Sequence, residues 1–147
     1  MRIYLAATFK NQSRIRQMRD KLFILGHNVL STWLNEQIKP NGMTEEQFGR
    51  KMAAKDLREI QEADCLILDI DDPSVTAGKM IEYGFALAHH KLLYTVGKPI
   101  PNAIFTLLAD KHFDTWEDLF DFFAESHSTV DVDTDKYIKI SKQSQVG

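Results

Sequence analysis

Short apolar runs that alternate with segments of helical period constrain this chain more than any other feature. The pattern leaves a parallel sheet covered on both faces as the expected fold. The runs are Ile3 to Ala7, Asn28 to Trp33, Asp64 to Ile70, Leu92 to Val96 and a weaker one around His112-Phe113. The unbroken Cys65-Leu66-Ile67-Leu68 predicts that the third strand lies mid-sheet, buried on both faces. Between the runs, Ile15, Met18 and Leu22 recur at helical spacing from about Ser13, and Gly26 stops that helix. Thr44-Glu45-Glu46-Gln47 reads as a capping box opening a long helix to about Glu62. A second apolar helix is expected from Lys79 to about His90, a short one from near Asn102 after the loop Lys98 to Pro101, and a last one capped at Thr115 and carrying Trp116, Leu119, Phe120 and Phe123. The expectation is an α/β fold, a flavodoxin- or Rossmann-like five-stranded parallel sheet. Residues 1–126 form its single domain, and the polar segment 127–147 is an appended tail or arm.

Composition removes several function classes. With 147 residues, 44% of them hydrophobic, the chain builds one core rather than two domains. Its 18 Lys and Arg against 21 Asp and Glu leave a net charge of -3, without the positive surplus that a nucleic-acid partner requires. A single cysteine, Cys65 in an apolar run, excludes a disulfide framework and a Cys-based zinc site. His27, His89, His90, His112 and His127 show no zinc-ligand spacing, and no metal is expected. Neither GxGxxG nor GxxxxGK[ST] occurs. No apolar stretch approaches the roughly 18 residues of a membrane span, and the N-terminus starts as a strand rather than a signal peptide, so a soluble, cytoplasmic protein without a membrane partner is expected.

The informative residues break the hydrophobic pattern, because an ionised carboxylate on a buried face costs several kcal/mol unless it is paired. In the long helix the stripe Phe48, Met52, Ile60 and Ala63 has Asp56 where its middle hydrophobe belongs. In the next helix, Met80 to Ala88 is apolar on every side except for Glu82. Each acid either reaches solvent or a nearby cation, or serves chemistry at the sheet's carboxyl edge, where ligands of open α/β sheets bind. Two other groups are open in the same way. The loop Thr8 to Arg14 holds hydroxyls, two cations and a helix N-terminus, suiting an anion or ordinary solvation. Asp69, Asp71 and Asp72 suit turn-making hydrogen bonds better than Mg²⁺.

Taken together, the motifs resemble the nucleoside 2-deoxyribosyltransferase family over most of residues 1 to 109. Ile3-Tyr4-Leu5-Ala6-Ala7-Thr8-Phe9 resembles the family's first strand. Asp56-Leu57-Arg58-Glu59-Ile60-Gln61-Glu62-Ala63-Asp64 is similar to its D-L-x-x-I-x-x-A-D stretch, and Gly78-Lys79-Met80-Ile81-Glu82-Tyr83-Gly84-Phe85-Ala86 to its G-x-x-x-E-x-G-x-A. Asp56 and Glu82 stand 26 residues apart, the family's spacing. The resemblance implies that Glu82 attacks C1′ of a deoxyribose as the nucleobase leaves, and that a second base or water resolves the glycosyl-enzyme. It further implies that Asp56 orients or shares a proton with the reacting groups, that Tyr4 holds Glu82 in line, that Phe9 lies beside the base, and that no metal or organic cofactor is needed.

Two departures bear on the substrate. Six residues before Glu82, transferases carry an Asp that contacts the base, whereas Thr76 stands here; related deoxynucleoside 5′-monophosphate N-glycosidases have a hydroxyl residue there, against the phosphate. Asn102, by contrast, looks like the asparagine that transferases lend to a neighbouring subunit's site, which implies a homodimer or larger homo-oligomer. The expected activity is cleavage of the N-glycosidic bond of 2′-deoxyribonucleosides or their 5′-monophosphates, with transfer to a free nucleobase. The rival readings are hydrolysis, a non-catalytic nucleotide-binding module and an NAD-type glycohydrolase.

Overall fold

The apolar runs pair as one all-parallel sheet. In the computed structural model, which describes residues 1–35, 38–72, 74 and 76–125, β1 (Arg2–Ala6), β2 (Asn28–Val29), β3 (Cys65–Asp69), β4 (Leu92–Val96) and β5 (Lys111–Phe113) lie in the order β2-β1-β3-β4-β5. This is the flavodoxin-like order. All five residues of β3 are buried, as expected of a strand with a neighbour on each edge and helices on each face. The helices are α1 (Gln12–Ile24), α2 (Glu45–Glu62), α3 (Ala77–Ala88) and α4, residues 116–125.

The chain runs outward from β1 to β2, then crosses back to β3 and proceeds the other way. Right-handed crossovers in opposite directions place α1 on one face and α2 with α3 on the other. Accordingly α2 and α3 pack together. On the far face, α1 is tied to α4 through Lys21, whose Nζ lies 3.0 Å from Glu117 Oε1 and over the Phe120 ring. The reversal leaves a crevice beyond the carboxyl ends of β1 and β3, the topological switch point of this fold.

Local chemistry accounts for most boundaries. Thr44 Oγ1 accepts from Gln47 N at 3.1 Å while Gln47 Oε1 accepts from Thr44 N at 2.9 Å, the reciprocal capping box that starts α2. Gly97, at φ 122°, ends β4 where an added Cβ would fall 2.6 Å from Asp71 N. Thr115 Oγ1 accepts from Asp118 N at 3.1 Å and caps α4.

One expectation requires correction. The second strand was expected from Asn28 to Trp33, yet β2 ends at Val29. Ser31 Oγ accepts the Leu5 N–H at 2.6 Å and Trp33 Nε1 donates to Leu5 O at 2.7 Å, so side chains satisfy the β1 edge and the chain turns away in a 3₁₀ turn, Thr32–Leu34. Departure of β2 is what opens the crevice above β1. The short helix expected from near Asn102 is a 3₁₀ helix, Ile104–Leu108, which follows an exposed turn that holds Asn102 at φ 65°. No helix among the described residues is long and apolar enough to cross a membrane. The tail expected over 127–147, and His127 with it, lies outside the described residues.

Candidate active site

A cavity of about 290 Å³ opens at the switch point, and its wall includes Phe9, Trp33, Asp56, Thr76, Gly78 and Glu82. Five residues singled out from the sequence therefore meet here from three separate parts of the chain: Phe9 from the turn after β1, Asp56 from α2, and Thr76, Gly78 and Glu82 from the start of α3. Tyr4 lies beneath, fully buried on β1, and its hydroxyl donates to Glu82 Oε2. Asn102 does not line this cavity.

The helices present the acids because of their spacing. Ile60 sits one turn after Asp56 on the face of α2 that meets the core, so Asp56 points inward with it. On α3, Lys79, Tyr83 and Ala86 form the buried stripe, and Glu82 borders it.

Electrostatics follow from this burial. Desolvation pushes the Glu82 carboxyl up to about 8; the Tyr4 hydrogen bond opposes that rise, while Asp56 and Glu59 add to it. Asp56 is raised to about 6, first by burial, with Lys55 pulling down and Glu59 pushing up. Among the described residues Asp56 Oδ1 is buried without a hydrogen-bond partner, an acceptor that protein groups leave open. The Tyr4 hydroxyl is held strongly toward its neutral form by burial and by Glu82, so it serves as a hydrogen-bond donor rather than a base.

Sequence reasoning passed over several residues that shape the site. Glu59, buried, accepts from Thr32 N at 3.1 Å and Thr32 Oγ1 at 2.7 Å, anchoring the turn that carries Trp33. The signal was available: Glu59 lies three residues after Asp56, on the same helix face. Trp33 reaches the cavity wall beside Phe9, with ring centroids 6.3 Å apart. Phe9 is 62% exposed, an aromatic at the mouth. Where Gly78 would carry a Cβ nothing lies within 4 Å, so the cavity keeps that space. Lys79 is buried one turn before Glu82.

The remaining acids behave differently. Asp69 is 2% exposed and accepts from both Nη atoms of Arg14 at 2.9 Å and from Trp116 Nε1 at 2.6 Å. Asp72 accepts from Ser74, Asn11 and Lys10. The two cations of the Thr8 to Arg14 loop are thus committed to Asp72 and Asp69.

Comparison with known proteins agrees with this architecture. A 2-deoxyribosyltransferase from the psychrotolerant bacterium Bacillus psychrosaccharolyticus superposes with a TM-score of 0.67 at 26% identity, covering 82% of this chain and 90% of that one. A conserved protein from Enterococcus faecalis V583 (TM-score 0.62, 15% identity, 86% and 98% covered) and a CMP N-glycosidase from Clostridium botulinum (0.58, 19%, 82% and 96%) share the fold. No curated protein matches by sequence. Deoxyribosyl transfer or N-glycosidic cleavage is the general class of activity these likenesses support. A family model described as nucleoside 2-deoxyribosyltransferase matches residues 3–133, most of the chain, and the chain therefore belongs to the nucleoside 2-deoxyribosyltransferase family of enzymes.

Proposed function

We propose that this enzyme cleaves the N-glycosidic bond of 2′-deoxyribonucleosides or their 5′-monophosphates by attack of Glu82 on C1′, and passes the deoxyribosyl group from the glycosyl-glutamate to another nucleobase. One observation carries this reading: Glu82 is a desolvated carboxyl group at a cavity wall whose one donor among the described residues is Tyr4, with the unpartnered Oδ1 of Asp56 on the same wall. A carboxylate so placed loses little solvation on reaching an electron-poor carbon. In the first step an Oε–C1′ bond forms as the C1′–N bond breaks, and the proton that neutral Glu82 carries passes, by way of Asp56, to the departing base. In the second, a nitrogen of the acceptor base displaces Glu82 and loses a proton. Asp56, with its carboxyl near 6, holds or relays that proton at the base or the sugar hydroxyl. Tyr4 fixes the Glu82 rotamer so that one oxygen faces C1′. Phe9 and Trp33 offer faces against which a base can lie. Thr76 and Gly78 border the cavity beside Glu82, and the reaction assigns no role to a metal or organic cofactor.

A homo-oligomer belongs to the same reading. Ile81, Ile104, Phe105, Leu107 and Leu108 are each between 58% and 82% exposed, on α3 and the segment after the Asn102 turn, and Tyr83 Oη ties that segment to α3 by donating to Phe105 O at 2.7 Å. Apolar side chains gathered this way mark an association face. A second copy seated there would bring its Asn102 toward the sugar. Hydrolysis is the second reading, favoured by Thr76, a hydroxyl residue of the kind that the related N-glycosidases carry at this position.

The deciding experiment incubates the protein with the four deoxynucleosides and their 5′-monophosphates, with and without adenine, and separates the products. New deoxynucleosides or deoxynucleotides formed only with adenine are expected. Free base released at an acceptor-independent rate would replace transfer by hydrolysis, and no turnover would overturn the reading in favour of a binding module.

A further inference from the structure

Glu59 is 8% exposed, and both hydrogen bonds that it accepts come from neutral donors, Thr32 N at 3.1 Å and Thr32 Oγ1 at 2.7 Å. None of the ion pairs formed by described residues includes it. Asp69, the other buried acid among the described residues, has the Arg14 guanidinium against it. A buried carboxylate without a cation is costly. Holding the Thr32–Leu34 turn does not require that charge, because a neutral amide offers an acceptor to Thr32 N and a donor to Thr32 Oγ1.

The surroundings supply a use for the charge. Glu59 follows Asp56 by three residues on α2, and side chains so spaced are neighbours on one helix face. Asp56 in turn shares the cavity wall with Glu82, and its Oδ1 has no hydrogen-bond partner among the described residues. The Glu59 charge acts on Asp56, on Glu82 and on Tyr4, in each case toward the protonated form. The other groups facing the pair are Tyr4 from β1, Lys55 from α2, and Lys10 and Lys79 on the cavity wall, while Asp69 of β3 is committed to Arg14 and Trp116. Carboxyl groups this close and this dry do not all ionise. Thr32 directs two donors at Glu59, which favours the anion there, so the proton falls to Asp56 and Glu82.

We propose that Glu59 is a positioning residue for the proton of the reaction: its negative charge, fixed by Thr32, holds on Asp56 and Glu82 the proton that the departing base takes. The proposal rests on the glycosidic-bond reading above and concerns the proton supply of that same site. Its test is the pH profile of kcat/KM between about pH 5 and about pH 9, measured in the full chain and in Glu59→Gln with whichever of the four deoxynucleosides and their 5′-monophosphates the unsubstituted protein turns over. Gln keeps the volume and the bonding to Thr32 and removes the charge. Loss of a neighbouring charge predicts that the alkaline limb moves down by at least about half a pH unit, so that the ratio of unsubstituted to variant kcat/KM grows about threefold across the range. Ionisation of the substrate cancels from that ratio. Glu59→Asp keeps the charge and should keep the limb; a move as large as that in Glu59→Gln would overturn the proposal. A Glu59→Gln ratio that stays constant would mean that Glu59 only holds the turn, overturning the proposal and leaving the glycosidic reading standing. No turnover of any of these substrates by the unsubstituted protein would overturn both. Should neither variant fold, the unsubstituted protein decides: an alkaline limb above about pH 6, well beyond an ordinary carboxyl, supports the assignment, and one at or below it overturns it.

Discussion

Two carboxylates stand near the carboxyl edge of the same sheet in opposite circumstances. Asp69, closing β3, is surrounded by donors: a bidentate guanidinium, an indole N–H at 2.6 Å and the Asp71 amide at 3.2 Å. Through them it joins β3 to α1 and α4. Glu82, on α3, accepts from Tyr4, shares its surroundings with Asp56 and Glu59, and has its carboxyl raised to about 8. Burial is common to both, so burial by itself does not distinguish structure from chemistry. The donor supply does. A buried acid with its lone pairs filled is a cross-link, while one left short of donors is poised to take a proton or to bond to an electron-poor atom.

The contrast breaks most visibly if Asp69 is removed. Asp69→Ala leaves the Arg14 charge and the Trp116 N–H without their acceptor, and loss of one partner of a buried pair costs about 3 kcal/mol or more. Arg14 is partly open to water, which places the effect at the lower end. Urea unfolding should move by that amount, and a change below about 1 kcal/mol would show that the network is not the cross-link argued here.

Glu82→Gln sharpens the same comparison from the other side. It keeps side-chain volume and an oxygen for Tyr4, yet removes the nucleophile, so the rate should fall at least about 10²-fold, near 2.7 kcal/mol, with the fold intact. Turnover close to that of the unsubstituted enzyme would remove Glu82 from the mechanism. Asp56→Ala comes next in size. Because no donor among the described residues serves Asp56 Oδ1, its loss should leave stability unchanged or raised, while steady-state kcat/KM drops about tenfold or more. Unchanged kinetics would return Asp56 to a structural role.

Why some of this was legible in the sequence and some was not has a physical basis. The capping box at Thr44 and the misplacement of Asp56 and Glu82 are local: helical spacing alone dictates which side chains share a face. The abrupt end of β2 is not local. It depends on Ser31 and Trp33 reaching Leu5 across the strand edge, a substitution of side chain for ladder that periodicity does not encode. Trp116 reads correctly as core, but its bond to Asp69 spans 47 residues. Lys79 escapes because a lysine at a helix start ordinarily extends to water, and only the packed loops after β1 and β3 close over it. Glu59 looks like one more charge on a charge-rich helix until Thr32 is placed against it.

The smallest effect tests the electrostatic half of the comparison without any substrate. A Glu82 carboxyl raised from 4.5 to about 8 means that the folded protein retains a proton which the unfolded chain releases. Where the folded state binds more protons, stability falls as pH rises, so this residue withdraws stability progressively between about pH 4.5 and pH 8. Glu82→Gln has no such proton to lose. The melting temperature of the variant should therefore gain on that of the unsubstituted protein as pH is raised from 5 to 8, by about 3 °C or more, equivalent to roughly 1 kcal/mol in a chain of this size. Asp56 titrates in both proteins and largely cancels from the difference. Parallel pH profiles would mean that Glu82 is ionised in the folded state at pH 5, solvated as an ordinary surface acid, and the donor-poor environment that separates it from Asp69 would not exist in solution.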